Sequence, residues 1–208
     1  MLHRLRGVMQ RVFTPVARAL LRAGVSPDAV TITGTLVVVV TALWAFPRGN
    51  LVPGVLVITV FVLTDSLDGV MARQAGRSGP WGAFLDSTLD RFGDAAIFGG
   101  LVLWLFGYGD DGTTTARVSA VLALACLVLG SVVPYARARA EGLGMTASGG
   151  IAERADRLLV VLVAIFVVGL GAPLVVLAVV LALLALASAV TVVQRMAMVH
   201  RQARELAA

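Results

Sequence analysis

Residues 65–90 read DSLDGVMARQAGRSGPWGAFLDSTLD, a run that places carboxylates and small residues at fixed intervals: Asp65-x2-Asp68-Gly69-x2-Ala72-Arg73-x8-Gly82-x3-Asp86-x3-Asp90. What surrounds this run makes it decisive. Of the 208 residues 59% are hydrophobic and 14% charged, whereas soluble domains carry about 25% charged residues. Mean hydropathy is +0.93, so most of the chain belongs in a lipid bilayer. A charged side chain at membrane depth costs at least about 2.5–3.5 kcal/mol on insertion scales. Four carboxylates on two neighbouring apolar segments therefore require compensating cations.

Outward from this run, apolar segments separated by breakers predict an all-α polytopic membrane protein of six transmembrane helices. The crossings run over roughly 27–47, 52–73, 81–107, 116–139, 153–170 and 173–199, each near the roughly 20 residues that a bilayer requires. Breaks fall at Pro47 to Asn50, Gly76 to Pro80, Gly107 to Thr115, Gly142 to Gly150 and Gly169 to Pro173. Before them, Leu2, Leu5, Met9, Val12, Val16 and Leu20 share one side of a helical projection, and Arg4, Arg11, Arg18 and Arg22 another. Residues 1–24 are therefore expected to form a juxtamembrane amphipathic helix in the headgroup plane, its arginines toward lipid phosphates. Thr14-Pro15 and Ser26-Pro27 read as helix starts, the hydroxyl capping and the proline suiting the first turn. The expectation is a single membrane domain over 1–208, with the six-helix bundle at 27–199. No cleavable signal peptide is read at the N-terminus. The lone Cys126 has no disulfide partner and reads as a small core residue.

All 17 basic residues are arginine, and their distribution sets the orientation. With the N-terminus inside, the cytoplasmic face carries Arg4 to Arg22, Arg73, Arg77, Arg137, Arg139, Arg154, Arg157, Arg195, Arg201 and Arg204. The outer face keeps Arg48 and Arg117 beside Asp110 and Asp111. That asymmetry predicts cytoplasmic termini and a carboxylate set at the cytoplasmic ends of crossings two and three. Membrane lipids are the expected surroundings, and no nucleic-acid partner is expected. Intramembrane acids also mark ion pathways, but these cluster at one face rather than marching across, which disfavours a divalent-cation channel or transporter.

On helices, Asp65 and Asp68 at i, i+3 share a face, as do Asp86 and Asp90 at i, i+4. Gly69 and Ala72 keep the first stripe small. The 17 residues between Asp68 and Asp86 suffice to turn the chain and bring the two faces together. Four oxygen-only ligands suit a hard cation, Mg²⁺ or Mn²⁺, and can hold two of them. Two such ions stabilise the attacking and leaving oxygens in phosphoryl transfer, and Arg73 can hold a phosphate. Asp94 continues the Asp86 and Asp90 face by one turn, and reads as a supporting or buried hydrogen-bonding group rather than a metal ligand.

The spaced set resembles, without gap or substitution, the signature of the CDP-alcohol phosphotransferases, a family of six-helix membrane enzymes with an amphipathic N-terminal segment. The resemblance implies that a CDP-linked alcohol, usually CDP-diacylglycerol, binds with its diphosphate at the metals. An acceptor hydroxyl then attacks the lipid-side phosphorus and CMP leaves. It also implies roles: Asp65, Asp68, Asp86 and Asp90 as metal ligands, Asp90 as the base that takes the acceptor proton, and Gly69 and Arg73 at the nucleotide. The segment Asp28-Ala29-Val30-Thr31 is similar to the family segment that closes over the cytidine. A homodimer is implied likewise, and small residues along crossings three and four permit close packing.

Family members differ chiefly in the acceptor. Arg137 and Arg139 end crossing four, Arg154 and Arg157 open crossing five, and Arg195 lies near the end of crossing six. Arginines delivered by three helix ends would make a pocket for a dianion, which favours a phosphorylated acceptor. Tyr135 to Glu141, Gly149 to Arg157 and Val193 to Arg195 resemble the actinobacterial branch that makes phosphatidylinositol phosphate from 1D-myo-inositol 3-phosphate. By that likeness Arg137, Arg154 and Arg195 would grip the inositol phosphate. Glycerol 3-phosphate, in a phosphatidylglycerophosphate synthase, is the alternative acceptor by the same arginine logic. Two departures from the branch pattern stand out: Arg137 where lysine is frequent, and Gly79 where a Ser or Thr often contacts the CDP-lipid, with Ser78 one place earlier.

Overall fold

The computed structural model describes residues 13–64, 66–76, 79–107, 113–151 and 154–206. Asp65, Ser78 and the amphipathic pattern over residues 1–12 lie outside them. The described chain is helical, with no strand. In chain order come α1 (residues 13–22), α2 (Pro27–Ala45) with a 3-10 turn at Phe46–Arg48, α3 (Leu51–Thr64), α4 (Ser66–Gln74) and α5 (Pro80–Gly107), then α6 (Thr114–Glu141), α7 (Arg154–Gly169) and α8 (Leu174–Leu206).

Among the described residues four segments are long and apolar enough to cross a bilayer: Pro27–Arg48, Leu51–Gln74, Thr114–Glu141 and Leu174–Leu206. The other two expected crossings differ in character. α5 has 28 residues but carries Asp86, Asp90, Arg91 and Asp94 between its start and its middle, and α7 has 16 residues.

Local chemistry explains the boundaries. Ser26 Oγ accepts the Ala29 N–H at 3.2 Å, capping α2 where the sequence places its start. The Thr113 hydroxyl accepts the Ala116 N–H at 3.3 Å, so α6 begins two residues before the expected 116. α8 runs to Leu206, beyond the expected 199. The apolar run ends there but no breaker follows, and Arg201, Gln202, Arg204 and Glu205 are all good helix formers.

The chain divides into two compact units, Met1–Thr41 with Leu56–Gly93, and Ala42–Val55 with Asp94–Ala208. In the first, Ala17 of α1 is buried with Leu67, Val70 and Met71 of α4, and Phe13, Leu20, Leu21, Val25 and Val30 pack around them. In the second, α6 and α7 both pack on α8. A Cβ on Gly100 would collide with the Ala42 carbonyl, and one on Gly54 would stand 2.9 Å from the Phe46 ring. Glycine is what allows those close approaches. Cys126 is buried there, its thiol donating to the Leu181 carbonyl at 3.3 Å, as a small core residue should.

Candidate active site

The first unit contains a cavity of about 410 Å³ where the starts of two helices meet a third. α2 contributes Asp28 and Thr31 from its start, α4 contributes Asp68, Gly69, Ala72 and Arg73, and Gly79, Trp81, Gly82, Ala83 and Asp86 line the wall where α5 opens. Two helix N-termini at one cavity present orphan backbone N–H groups and positive dipole ends, which favour an anion. Arg73 adds a full positive charge. Asp28, Asp68 and Asp86 supply the opposite sign, so the cavity suits an anion accompanied by cations.

Asp68 is held from two sides. Its Oδ1 accepts the Gly69 N–H and its Oδ2 accepts the Thr31 hydroxyl, both at 2.5 Å. The Thr31 oxygen also lies 3.1 Å from the Pro27 carbonyl, but the carboxylate is nearer and charged, and takes the proton. A Cβ on Gly69 would make only an ordinary contact, 3.6 Å from an Arg73 nitrogen, and on Gly79 or Gly82 it would meet nothing within 4 Å. Packing among the described residues therefore does not require these glycines, and the open space before them belongs to the cavity.

Trp81, which sequence reasoning passed over, completes the wall together with Ser26, Pro27 and Ala83. Trp81 donates its indole N–H to Asp28 Oδ2 at 3.0 Å, its side chain largely exposed, and its ring centroid lies 6.0 Å from that of Phe84. Its signal was an aromatic directly after Pro80 at a helix start. Within the Asp28 to Thr31 segment the roles separate by helical face. Asp28 and Thr31 line the cavity, Ala29 gives its N–H to the Ser26 cap, and Val30 packs on the α1–α4 core.

Of the four signature carboxylates, Asp68 and Asp86 line this cavity. Asp90, one turn beyond Asp86, is mostly buried and pairs with Arg91 at 3.5 Å. Asp65 lies outside the described residues, among which no three metal-ligating side chains come close enough to share an ion. The available donors are nonetheless of the right kind. They are carboxylate oxygens alone, and Asp68 is oriented by a hydroxyl and a backbone N–H as metal-ligating carboxylates are.

The arginines singled out for the acceptor lie in the second unit and differ in their bonding. Arg137 pairs with Glu141 at 2.8 Å, i to i+4 on α6, both side chains exposed. Arg154 Nε donates to Asp94 Oδ1 at 3.1 Å. Arg195 donates its Nε to the Gly149 carbonyl at 3.0 Å and Nη1 to the Val133 carbonyl at 2.5 Å. Arg195 thus helps fasten the 142–151 connection to α8. Thr191 accepts the Ile151 N–H at 3.2 Å, Gln202 Oε1 accepts the Thr146 N–H at 2.9 Å, and Met198 packs at Gly149. Thr191, Arg195, Met198 and Gln202 form one stripe at helical spacing. Asp94 is a buried hydrogen-bonding group, as the sequence suggested, and its second partner is Arg157, whose Nη2 donates to Oδ2 at 3.0 Å.

Residues 24–152 match the CDP-alcohol phosphatidyltransferase family. A phosphatidylinositol phosphate synthase of Cutibacterium acnes is 50% identical over 208 residues, spanning 97% of this chain and 98% of the relative. Two crystal structures of the Mycobacterium tuberculosis phosphatidylinositol phosphate synthase share the fold at 43% identity. The one with CDP-DAG bound has a TM-score of 0.85 and covers 91% of this chain and 94% of its own. The one in complex with manganese and citrate has a TM-score of 0.84 and covers 90% and 88%.

Proposed function

Because the chain belongs to the CDP-alcohol phosphatidyltransferase family, we propose that it transfers the phosphatidyl group from CDP-diacylglycerol to 1D-myo-inositol 3-phosphate, giving phosphatidylinositol phosphate and CMP. The observation that carries this reading is the cavity of the first unit. There Asp68, Asp86 and Arg73 share a wall with two helix N-termini, a charge pattern matched to a diphosphate and its counter-cations. Kinship with phosphatidylinositol phosphate synthases over nearly the whole chain supports the choice of acceptor.

In this reading the helix N-termini and Arg73 bind the diphosphate, and Asp28 and Thr31 bound the nucleotide side. The acceptor hydroxyl oxygen forms a bond to the lipid-side phosphorus as the bond from that phosphorus to the bridging oxygen breaks, and CMP leaves with that oxygen. The hydroxyl proton passes to the Asp90 carboxylate. Arg137, Arg154 and Arg195 hold the acceptor's phosphate, a dianion suited to guanidinium pairing. Two divalent cations, Mg²⁺ or Mn²⁺, would be held by Asp65, Asp68, Asp86 and Asp90 and would supply Lewis-acid stabilisation of the phosphoryl oxygens. Thr31 and the Gly69 N–H keep Asp68 oriented for that task.

The reading extends to the setting. The protein is a single six-crossing domain of the bacterial plasma membrane, with α5 and α7 completing the four apolar spans, termini and active site cytoplasmic by the arginine bias, and it works as a homodimer.

The test is CMP release by purified protein given CDP-diacylglycerol and either inositol 3-phosphate or glycerol 3-phosphate. Turnover is expected with the inositol phosphate. Faster turnover with glycerol 3-phosphate overturns the acceptor assignment, and no CMP with either overturns the enzyme assignment.

A further inference from the structure

In the second unit Asp94 on α5 sits between two guanidiniums from the first turn of α7. Oδ1 accepts from Arg154 Nε at 3.1 Å and Oδ2 from Arg157 Nη2 at 3.0 Å. We propose that Asp94 is a positioning residue for the phosphorylated acceptor, fixing the plane of the Arg154 guanidinium while Arg157 holds Asp94 from its other oxygen. The proposal rests on the reading that Arg154 meets the acceptor's phosphate.

Burial separates the two arginines. The Arg157 side chain is 2% exposed and that of Arg154 27%, so the triad meets its surroundings through Arg154. The guanidinium atoms lie in one plane. A carboxylate that fixes Nε therefore sets the direction of both Nη groups, and with it the geometry offered to a phosphate.

The triad is poorly explained as a stabilising device. Replacing a buried ion pair by apolar side chains is often neutral or stabilising, and Arg157 keeps a buried Nε with no hydrogen-bond partner among the described residues. The chain also makes special room for it. A Cβ on Gly130 would stand 3.1 Å from Arg157 Cζ, and Nη2 reaches the Gly130 carbonyl at 3.5 Å. A glycine notch and an under-bonded buried guanidinium are what a clamp on Asp94 requires.

The test uses the full-length protein in lipid nanodiscs, measuring KM for inositol 3-phosphate and for CDP-diacylglycerol separately. Asp94→Asn keeps the shape and removes the charge that aligns Arg154. It is expected to raise the acceptor KM about 10-fold while kcat and the donor KM stay within about twofold; a merely structural role would move all three. Asp94→Asn combined with Arg154→Ala is expected to be no worse than Arg154→Ala alone, since both act through one group. If Asp94→Asn does not fold, Gly130→Ala displaces Arg157 by a few tenths of an ångström and is expected to raise the acceptor KM about 2–3-fold. An unchanged acceptor KM in whichever of these variants folds, or additive effects in the double variant, overturns the proposal. If Arg154→Ala raises the acceptor KM and Asp94→Asn does not, the proposal alone falls. If neither does, the assignment of Arg154 to the acceptor falls with it.

Discussion

The cavity of the first unit and the Asp94 cluster of the second hold charge in opposite ways. In the first, Asp28, Asp68, Asp86 and Arg73 line open space, and the bonds that Asp68 makes come from a neutral hydroxyl and a backbone N–H. In the second, Asp94, Arg154 and Arg157 are bonded directly to one another. Neutral partners orient a carboxylate without cancelling its charge, leaving it for a cation. Ionic partners cancel most of the charge and fix geometry instead. An apolar chain can thus hold a site that recruits ions and a site that is already built, and the difference shows in what each carboxylate touches.

The largest effect expected on this contrast comes from the recruiting side. Asp90→Asn removes the proposed base without changing shape, and CMP release should fall by about 10²–10⁴-fold. Binding of CDP, followed by calorimetry with Mg²⁺ present, should remain measurable. Near-normal turnover in this variant would remove Asp90 from the chemistry and leave the cavity as a binding site only. Stripping divalent ions with a chelator should abolish CMP release in the unaltered protein, and Mg²⁺ or Mn²⁺ should restore it.

On the prebuilt side, Arg154→Ala should raise the acceptor KM by about 10–100-fold, the range for losing a charge-assisted hydrogen bond of about 1.5–3 kcal/mol. The donor KM should stay put. A rise in both would show that the two substrates are not served by separate groups, and would break the contrast drawn here.

The contrast also explains what the sequence could and could not disclose. The start of α2 was legible because caps are local: Ser26 lies three residues from the N–H group it accepts. The cavity carboxylates were legible because helical spacing puts Asp68 with Gly69 and Ala72, and Asp86 four residues from Gly82, whatever the rest of the chain does. The arginines were not. Arg154 and Arg157 are three apart and read alike in any projection, yet only Arg157 is fully buried. Both bond Asp94, some sixty positions away, and what distinguishes them is the Gly130 notch that takes the Arg157 guanidinium. Arg195, proposed to hold the acceptor's phosphate, also bonds the Val133 and Gly149 carbonyls, and those contacts depend on how α8 meets α6 and the 142–151 connection. Val30 sat in a motif and proved to be core, because one helical turn has room for only part of its residues on the cavity side.

A smaller effect probes the neutral partners themselves. Thr31→Val keeps the volume and removes the hydroxyl that Asp68 accepts. Loss of such a supporting hydrogen bond weakens metal binding by about 10–100-fold. A Mn²⁺ titration of turnover should therefore shift to higher concentration by about 10-fold, with the maximal rate at saturating ion largely recovered. An unshifted titration would mean that the Gly69 N–H alone orients Asp68.

The smallest effect is expected at the rim. Trp81→Phe retains the ring and deletes the indole N–H that Asp28 accepts at 3.0 Å. Trp81 is 61% exposed, so water can replace the lost donor. The change should come to the low end of the net hydrogen-bond range, about 0.5 kcal/mol, or roughly a twofold rise in the KM for CDP-diacylglycerol. Trp81→Ala removes the ring as well, and whatever further loss it shows measures contact between that ring and the donor. If Phe costs as much as Ala, the hydrogen bond to Asp28 is what matters, and Asp28 is then a carboxylate aimed by a neutral donor in the manner of Asp68. If Phe is silent and Ala is not, the aromatic face is the working part, and the pattern of neutral partners in the cavity stops at Asp68.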